Sequence, residues 1–574
     1  MEASDPRHTE LQKLEFLYEV GLALSAERNT SRLLERILLE AKRLCGADGG
    51  TIYLREGPCL CFAIVHNDSL GIALGGDEEI AFTPIPLFID DAPNHHNVAS
   101  YAAHLGEVVN VADAYDEANF DFSGTKAFDE KNGYRSRSFL TIPMAGHNGR
   151  IIGVLQLINA QKNGEVVAFG SAEERFVKAL ASQAAVALEN QRLIDGQKKL
   201  LEAFIQMIAS AIDSKSPYTG AHCERVPILT MMLTEAACAQ DEGPFADFQM
   251  SDDEWYELKI AAWLHDCGKV TTPVHIMDKG TKLETITDRI DTIAARFEVL
   301  KRDAKVAMLE AQLEGGDRET LQADYQRTLE RLDGELRFLR QANIGSEFLS
   351  DEAKERIVAI GKQRFVDGGI ERALLSEDEM ENLCISRGTL TEDERLIING
   401  HMVQTVQMLD ALPFPPHLRR VPEYAGGHHE RFDGNGYPKG LYAGDMSVPA
   451  RIMAIADVFE ALTAQDRPYK KGKTLSESMR IMGFMKRDNH LDPDLLDLFV
   501  RSGVYKAYGE KFLPASLIDE VDEEALLQIQ PKSDTGDGDD SQHVADERDA
   551  LLLYGTSTSI VDASRSSGGG GGGG

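Results

Sequence analysis

With 574 residues, 43% of them hydrophobic and 27% charged, the chain is too long for one hydrophobic core and reads as two or three globular domains with linkers. A net charge of −34 opposes bulk binding to duplex nucleic acid and to anionic membrane surfaces, so a phosphate-bearing ligand would have to be drawn by local cations or metal ions. The seven cysteines, Cys45, Cys59, Cys61, Cys223, Cys238, Cys267 and Cys384, are odd in number and lack paired CxxC spacing, which argues against a disulfide framework or a zinc ribbon.

Residues 1–15 are polar and carry no apolar signal core, and no apolar run approaches the ~20 residues of a spanning helix, so a cytoplasmic location is expected. Two amphipathic helical stretches are expected over 11–43, and short β-rich runs such as Thr51-Ile52-Tyr53-Leu54 alternate with polar loops over 49–159, an α+β pattern. From 173 to 213 the positions Phe176, Leu180, Ala184, Ala187, Leu193, Leu200, Phe204 and Ile208 recur at helical spacing, predicting one long connecting helix. The pattern then stays helical to about residue 513. Within it Ile290, Ile293, Phe297, Leu300, Ala304, Ala307 and Ala311 step by three and four, a coiled-coil seam, and Gly315-Gly316 marks the turn of a helical hairpin. After Gln530 the chain turns Asp-, Ser-, Thr- and Gly-rich and ends in seven glycines, a composition expected to remain flexible.

Chemistry concentrates in the C-terminal half. His265-Asp266-Cys267-Gly268-Lys269 follows the apolar stretch 258–264, and an imidazole beside a carboxylate can serve one metal while the second carboxylate oxygen reaches another. Far along the chain His428-His429-Glu430 opens a glycine-rich loop that ends Gly436-Tyr437-Pro438. Asp457 lies inside the apolar run 452–462, where an unpaired carboxylate would be costly and a metal would offset the cost. Alone, His401 reads equally as a surface histidine, and Lys269 as a solvated lysine.

These two clusters, HDxGK and HHExxDGxGYP, resemble the double signature of HD-GYP domains, a branch of the HD phosphohydrolases, and the likeness extends over 213–225, 262–282, 390–409 and 424–470. The resemblance implies an all-helical fold, two divalent metal ions, iron or manganese, and hydrolysis of cyclic di-GMP to the linear dinucleotide or GMP. It implies one metal on His265, Asp266 and Asp457 and a second on Asp266, His401, His428 and His429, with Asp266 bridging. It implies phosphate contacts from Lys269, Arg467 and Lys470 and a substrate mouth shaped by Gly436, Tyr437 and Pro438. Where some members of the family carry a glutamate four residues before a histidine, this chain has Tyr218 before His222, so two metals rather than three are expected, with Tyr218 and His222 toward the substrate.

Residues 103–115 and 133–143 resemble a GAF domain. The nucleotide-binding signature of that family is altered: Asn159-Ala160 stands for Asn-Lys, and Phe169 with Glu173-Glu174 for Phe and Asp-Glu, which leaves a small-molecule ligand or a purely dimerising role open. The expected organisation is a GAF-like α+β sensor at 14–193, a linker helix at 194–212 pairing a homodimer, an all-α HD-GYP domain at 213–515 with a helical insertion at 283–388, and a tail at 516–574. The alternatives are a catalytically silent cyclic dinucleotide receptor and a phosphohydrolase for another cyclic dinucleotide or nucleotide.

Overall fold

Asn29 caps the helix Thr30–Cys45 by accepting the Arg32 amide at 3.0 Å, and Gly46, at φ 60°, ends it. Its stripe of Leu33, Leu34, Ile37, Leu38 and Ala41 has to be buried, and an antiparallel sheet receives it. The computed structural model describes residues 18–19, 21–22, 27, 29–75, 80, 82–146, 148–215, 222–345, 348–464 and 472–532. It divides into two compact units, Met1–Leu201 and Glu202–Gly574. Among the described residues no helix is long and apolar enough to cross a membrane.

In the first unit the sheet runs in the order Ile72–Gly75, Cys59–Asn67, Ala47–Glu56, Ile151–Lys162, Phe139–Ala145, Val109–Val111. Side chains alternate between its faces. Ile52 and Leu155, register partners, pack under the helix Thr30–Cys45 with Leu180 and Ala184 of the helix Ser171–Asp213. Tyr53 and Val154, one residue along, face the other way against Ala99 and Ala103 of the helix Val98–Leu105. This is the α+β arrangement that the alternation predicts.

The second unit is mostly helical. The helix Val448–Thr463 is buried nearly all round, with Ile452, Ile455, Phe459 and Leu462 in one core and Met453 in another that also holds Leu258, Ala261 and Val421. Capping boxes start the helices Asp252–Leu264 (Ser251 with Glu254) and Glu392–Asp410 (Thr391 with Glu394), so their first turns are set locally. The helix Ser171–Asp213 is continuous across the boundary between the units.

The helices Ile290–Leu313 and Arg318–Ile344 form the expected hairpin. Only the base of the seam is buried, where Ile290, Ile293 and Phe297 share a core with Leu332, Leu336 and Leu339; further along, Leu300, Ala304 and Ala311 are half-buried and Ala307 is exposed, because the helices Asp351–Gly361 and Glu377–Leu383 cover the base alone. The same segment also carries a two-stranded ribbon, Arg364–Asp367 with Ile370–Ala373, so the expectation of a wholly helical region is corrected there.

Candidate metal centre

The helix Asp252–Leu264 ends with its apolar face against the core, and His265 serves as its C-cap. Asp266, at φ −106°, opens the 3₁₀ turn Cys267–Thr271, so the doublet leaves the helix end already inside the protein: His265 is fully buried and Asp266 is 2% exposed. His401 is brought in by the helix Glu392–Asp410, His428 and His429 by the turn after the helix Val421–Gly426, and Asp457 by the middle of the helix Val448–Thr463. His222 is the first residue of the helix His222–Cys238.

Three of these imidazoles are oriented by one device. Nδ1 of His265, His401 and His428 meets the carbonyl oxygen three residues earlier, of Ala262 at 2.8 Å, Ile398 at 2.5 Å and Ala425 at 2.7 Å. A carbonyl only accepts, so Nδ1 donates and Nε2 of each ring is turned inward, the atom that would offer its lone pair to a metal ion.

Those nitrogens converge on Asp266. Oδ1 lies 3.3 Å from His401 Nε2 and 3.9 Å from His428 Nε2; Oδ2 lies 3.2 Å from His265 Nε2, 3.4 Å from His222 Nε2 and 2.5 Å from Lys269 Nζ. Asp457 Oδ1 stands 3.2 Å from His222 Nε2 and 3.7 Å from His265 Nε2. Two sets result, Asp266 with His401, His428 and His429, and Asp266 with His222, His265 and Asp457, and within each the ligand-capable atoms all lie within 4.8 Å of one another. In the first set Asp266 Oδ1, His401 Nε2 and His428 Nε2 are buried and make no hydrogen bond among the described residues. Buried polar atoms without partners are expensive, and three of them aimed at one point suit a cation. Imidazole nitrogen with carboxylate oxygen is the donor chemistry of divalent transition ions.

Electrostatics points the same way. Burial and the neighbouring His265 lower His428 to about 4, and burial with His428 and His401 holds His429 well below the ordinary histidine value, so both are neutral donors at pH 7. Burial also opposes charge on His265, yet Asp266 and Asp457 outweigh it and raise that imidazole to about 9. The pair of buried carboxylates thus calls for positive charge at this spot, which a divalent ion in place of the protons would supply.

Two glycines set the spacing. A β-carbon on Gly268 would overlap the His401 carbonyl oxygen and lie 2.6 Å from Thr405 N, while the Gly268 amide donates to Thr405 Oγ1 at 2.9 Å. Glycine there lets the Asp266 turn touch the helix of His401. Gly436 would likewise drive a β-carbon into Arg431 N and within 2.5 Å of Glu430 Cα. The loop folds back because buried Glu430 accepts the amides of Lys439 at 2.7 Å and Leu441 at 2.9 Å, which stacks Tyr437 on His429 with centroids 4.8 Å apart. Pro438 follows Tyr437 through a cis peptide bond.

The structure therefore brings together His265, Asp266, Lys269, His401, His428, His429 and Asp457, and His222, expected toward the substrate, stands in the same group. Lys269, expected toward a phosphate, donates to Asp266. Tyr218, Arg467 and Lys470 lie outside the described residues. Sequence reading passed over Glu460, which is 1% exposed, meets His222 Nδ1 and accepts from Arg225 Nε at 2.6 Å. The signal was present: Glu460 follows Asp457, and Arg225 follows His222, by three residues, one helical turn in each case.

In the first unit a cavity of about 420 Å³ opens beside the helix Val98–Leu105, walled by Tyr53, Phe62, Phe82 and Phe128 with Tyr134 and Gln156 as polar groups. The altered signature residues do other work. Asn159, at φ 56°, accepts the Arg137 amide at 2.7 Å and donates to Tyr134 Oη at 2.9 Å and to the Arg135 carbonyl at 2.8 Å; Phe169 is in the core; Glu174 accepts from Asn110 at 3.3 Å.

Comparison with known proteins agrees with this division. Residues 29–188 match the model of the GAF domain and residues 377–495 that of an HD domain, so the chain carries both. It is 42% identical over 125 residues to 3'3'-cGAMP-specific phosphodiesterase 1 of Vibrio cholerae, covering 21% of this chain and 27% of that protein. It is 38% identical over 119 residues to cyclic di-GMP phosphodiesterase PA4108 of Pseudomonas aeruginosa, 21% of this chain and 28% of the relative. With the cyclic di-GMP phosphodiesterase response regulator RpfG of Xanthomonas campestris the identity is 33% over 121 residues, 21% and 31% of the two chains. The chain thus spans about three tenths of the length of these relatives.

Proposed function

We propose that this protein is a metal-dependent phosphodiesterase that opens cyclic di-GMP to the linear dinucleotide or GMP, with the GAF domain as its sensor. The observation that carries the reading is the pair of donor sets that share Asp266. Two divalent ions, iron or manganese, held by His222, His265, Asp266 and Asp457 and by Asp266, His401, His428 and His429, would supply Lewis acidity toward the phosphodiester. The chain's own groups do the rest. Lys269 keeps a half-buried positive charge beside Asp266, where a phosphate would enter. Tyr437, held flat on His429, and the tight Gly436 turn shape the mouth, and Arg467 and Lys470 are assigned to the substrate phosphates.

Assays of the manganese-loaded protein against cyclic di-GMP test this: linear product is expected from wild type and none from Asp266→Ala, whereas full turnover in that variant overturns the reading. A second substrate is favoured by one observation, the 42% identity with a relative named for 3'3'-cGAMP, so both dinucleotides belong in the assay. Metal analysis is expected to return two equivalents per chain.

For the sensor, the aromatic walls of the cavity suit a planar ring. The homodimer is assigned to the helix Ser171–Asp213. Val186, Leu193, Leu200 and Met207 are exposed at intervals of seven, as are Ile194, Leu201 and Ile208, a heptad stripe that a second copy would bury. Light scattering at micromolar concentration should give a dimer, and a monomer would reject the pairing.

A further inference from the structure

The end of the helix Ser171–Asp213 and the residues that follow it reach two of the three segments that supply the second donor set. Two residues past its end, Lys215 Nζ donates to three carbonyl oxygens, of Lys269 at 3.0 Å, Val270 at 2.6 Å and Thr272 at 2.6 Å. These carbonyls close the 3₁₀ turn Cys267–Thr271 that Asp266 opens. At the helix end itself, buried Asp213 accepts the Cys223 amide at 3.1 Å, next to His222. One short stretch therefore grips the HDxGK turn through an ammonium and the His222 turn through a carboxylate.

An ammonium facing three carbonyls at the C-terminal end of a turn fills acceptor capacity that the turn's own bonds leave over, and it sits at the negative end of the local dipole. The Lys269 carbonyl also accepts the Thr272 amide at 3.1 Å, so the lysine locks a turn that is already closed rather than forming it. The turn is pressed at its other side against the helix Glu392–Asp410 through Gly268 and Thr405. Asp266 is thus held between two supports, one from the His401 helix and one from the helix that runs on from the GAF domain.

We infer that Lys215 is a positioning residue for the metal centre: it sets Asp266 against His401 and His222, and with Asp213 it makes the end of the long helix the element whose displacement would be felt by the metal ligands. The inference rests on the metal-centre reading above, since it assigns Lys215 a role through Asp266.

The test is Mn²⁺ titration of the full-length protein, with free Mn²⁺ read by electron paramagnetic resonance. Lys215→Met should raise the dissociation constant about tenfold, the range seen when a group that orients a metal ligand is lost, while the far-ultraviolet circular dichroism stays that of wild type. Lys215→Arg, which keeps charge and donors, should recover part of the loss. Were Lys215→Met to lose its helical signal, Lys215→Gln, polar but uncharged and one bond shorter than the lysine that spans the three carbonyls, takes its place with the same threshold. An unchanged dissociation constant in the folded variant would overturn the inference, because a lysine that only stabilises the fold moves the melting temperature and not the affinity. The two readings fail separately: wild type that binds Mn²⁺ but cleaves no cyclic dinucleotide sinks the substrate assignment and leaves the Lys215 result standing.

Discussion

Gly268 lies so close to His401 that a β-carbon would overlap the histidine's carbonyl oxygen. The obstacle is backbone, held in the helix Glu392–Asp410, and cannot swing aside. Gly268→Ala is therefore expected to cost about 1–3 kcal/mol and to weaken Mn²⁺ binding at least tenfold by shifting Asp266. Gly196→Ala is the control: it is a helical glycine with open space around its β-position, and alanine there should be neutral or stabilising by up to about 1 kcal/mol. Urea unfolding and metal titration of the two variants decide it, and wild-type behaviour of Gly268→Ala would contradict the packing argument.

Metal should stabilise the fold. Asp266 Oδ1, His401 Nε2 and His428 Nε2 are buried without hydrogen bonds among the described residues, so a cation that binds them only in the folded chain adds about 2.7 kcal/mol at a hundredfold excess over its dissociation constant. Calorimetry with and without Mn²⁺ should show the gain in wild type and its loss in Asp266→Asn and after chelation. Equal melting in all cases would reject the centre.

Lys282, which is in neither donor set, offers a pH signature of its own. It is 1% exposed and donates to the carbonyls of Ile385 at 2.8 Å and Leu383 at 3.2 Å, with no carboxylate among its bonded partners. Burial, with a further push from Lys354 and against the pull of Cys384, lowers it to about 8. Below that pH both folded and unfolded chains carry the proton and the folded state bears the full penalty, about 3 kcal/mol. Between pH 8 and the ordinary lysine value the folded chain releases a proton that the unfolded chain retains, so stability from this group rises with pH. Wild type minus Lys282→Met should accordingly climb between pH 7.5 and 10 in urea unfolding, and parallel curves would dismiss the shift.

Asn159 should be a structural residue of the GAF domain. Its side chain joins Arg137, Tyr134 and Arg135 while its backbone is left-handed, a conformation that asparagine tolerates and most residues do not. Asn159→Leu loses the bonds and strains the backbone, for a cost of about 2–4 kcal/mol; Asn159→Gly relieves strain but leaves the buried groups unpaired, for about 1–3 kcal/mol. Thermal unfolding that ranks glycine below leucine would refute this.

Much of the molecule is local and was therefore legible in the chain. The strand alternation that sends Ile52 and Tyr53 to opposite faces, the boxes at Thr391-Glu394 and Ser251-Glu254, and the spacing of His265-Asp266 and His428-His429 all act within a few residues, so most elements and the residues for a metal can be read from the chain, whereas the ribbon Arg364–Asp367 with Ile370–Ala373 cannot. Packing decided what spacing cannot carry. His222 meets Glu460 across 238 residues of chain, and Asp457 reaches His222 and His265 because the buried helix Val448–Thr463 points it inward. Nor does a sequence show which nitrogen of a histidine faces the ligand: for His401 that follows from the Ile398 carbonyl, available to the ring only once the helix has formed. The same holds for Lys215, a plain surface lysine in the sequence, whose three carbonyl partners are assembled by the turn after Asp266. Periodicity records which side of an element avoids water, whereas the meeting of distant polar groups depends on how the elements pack, and only the folded chain contains that information.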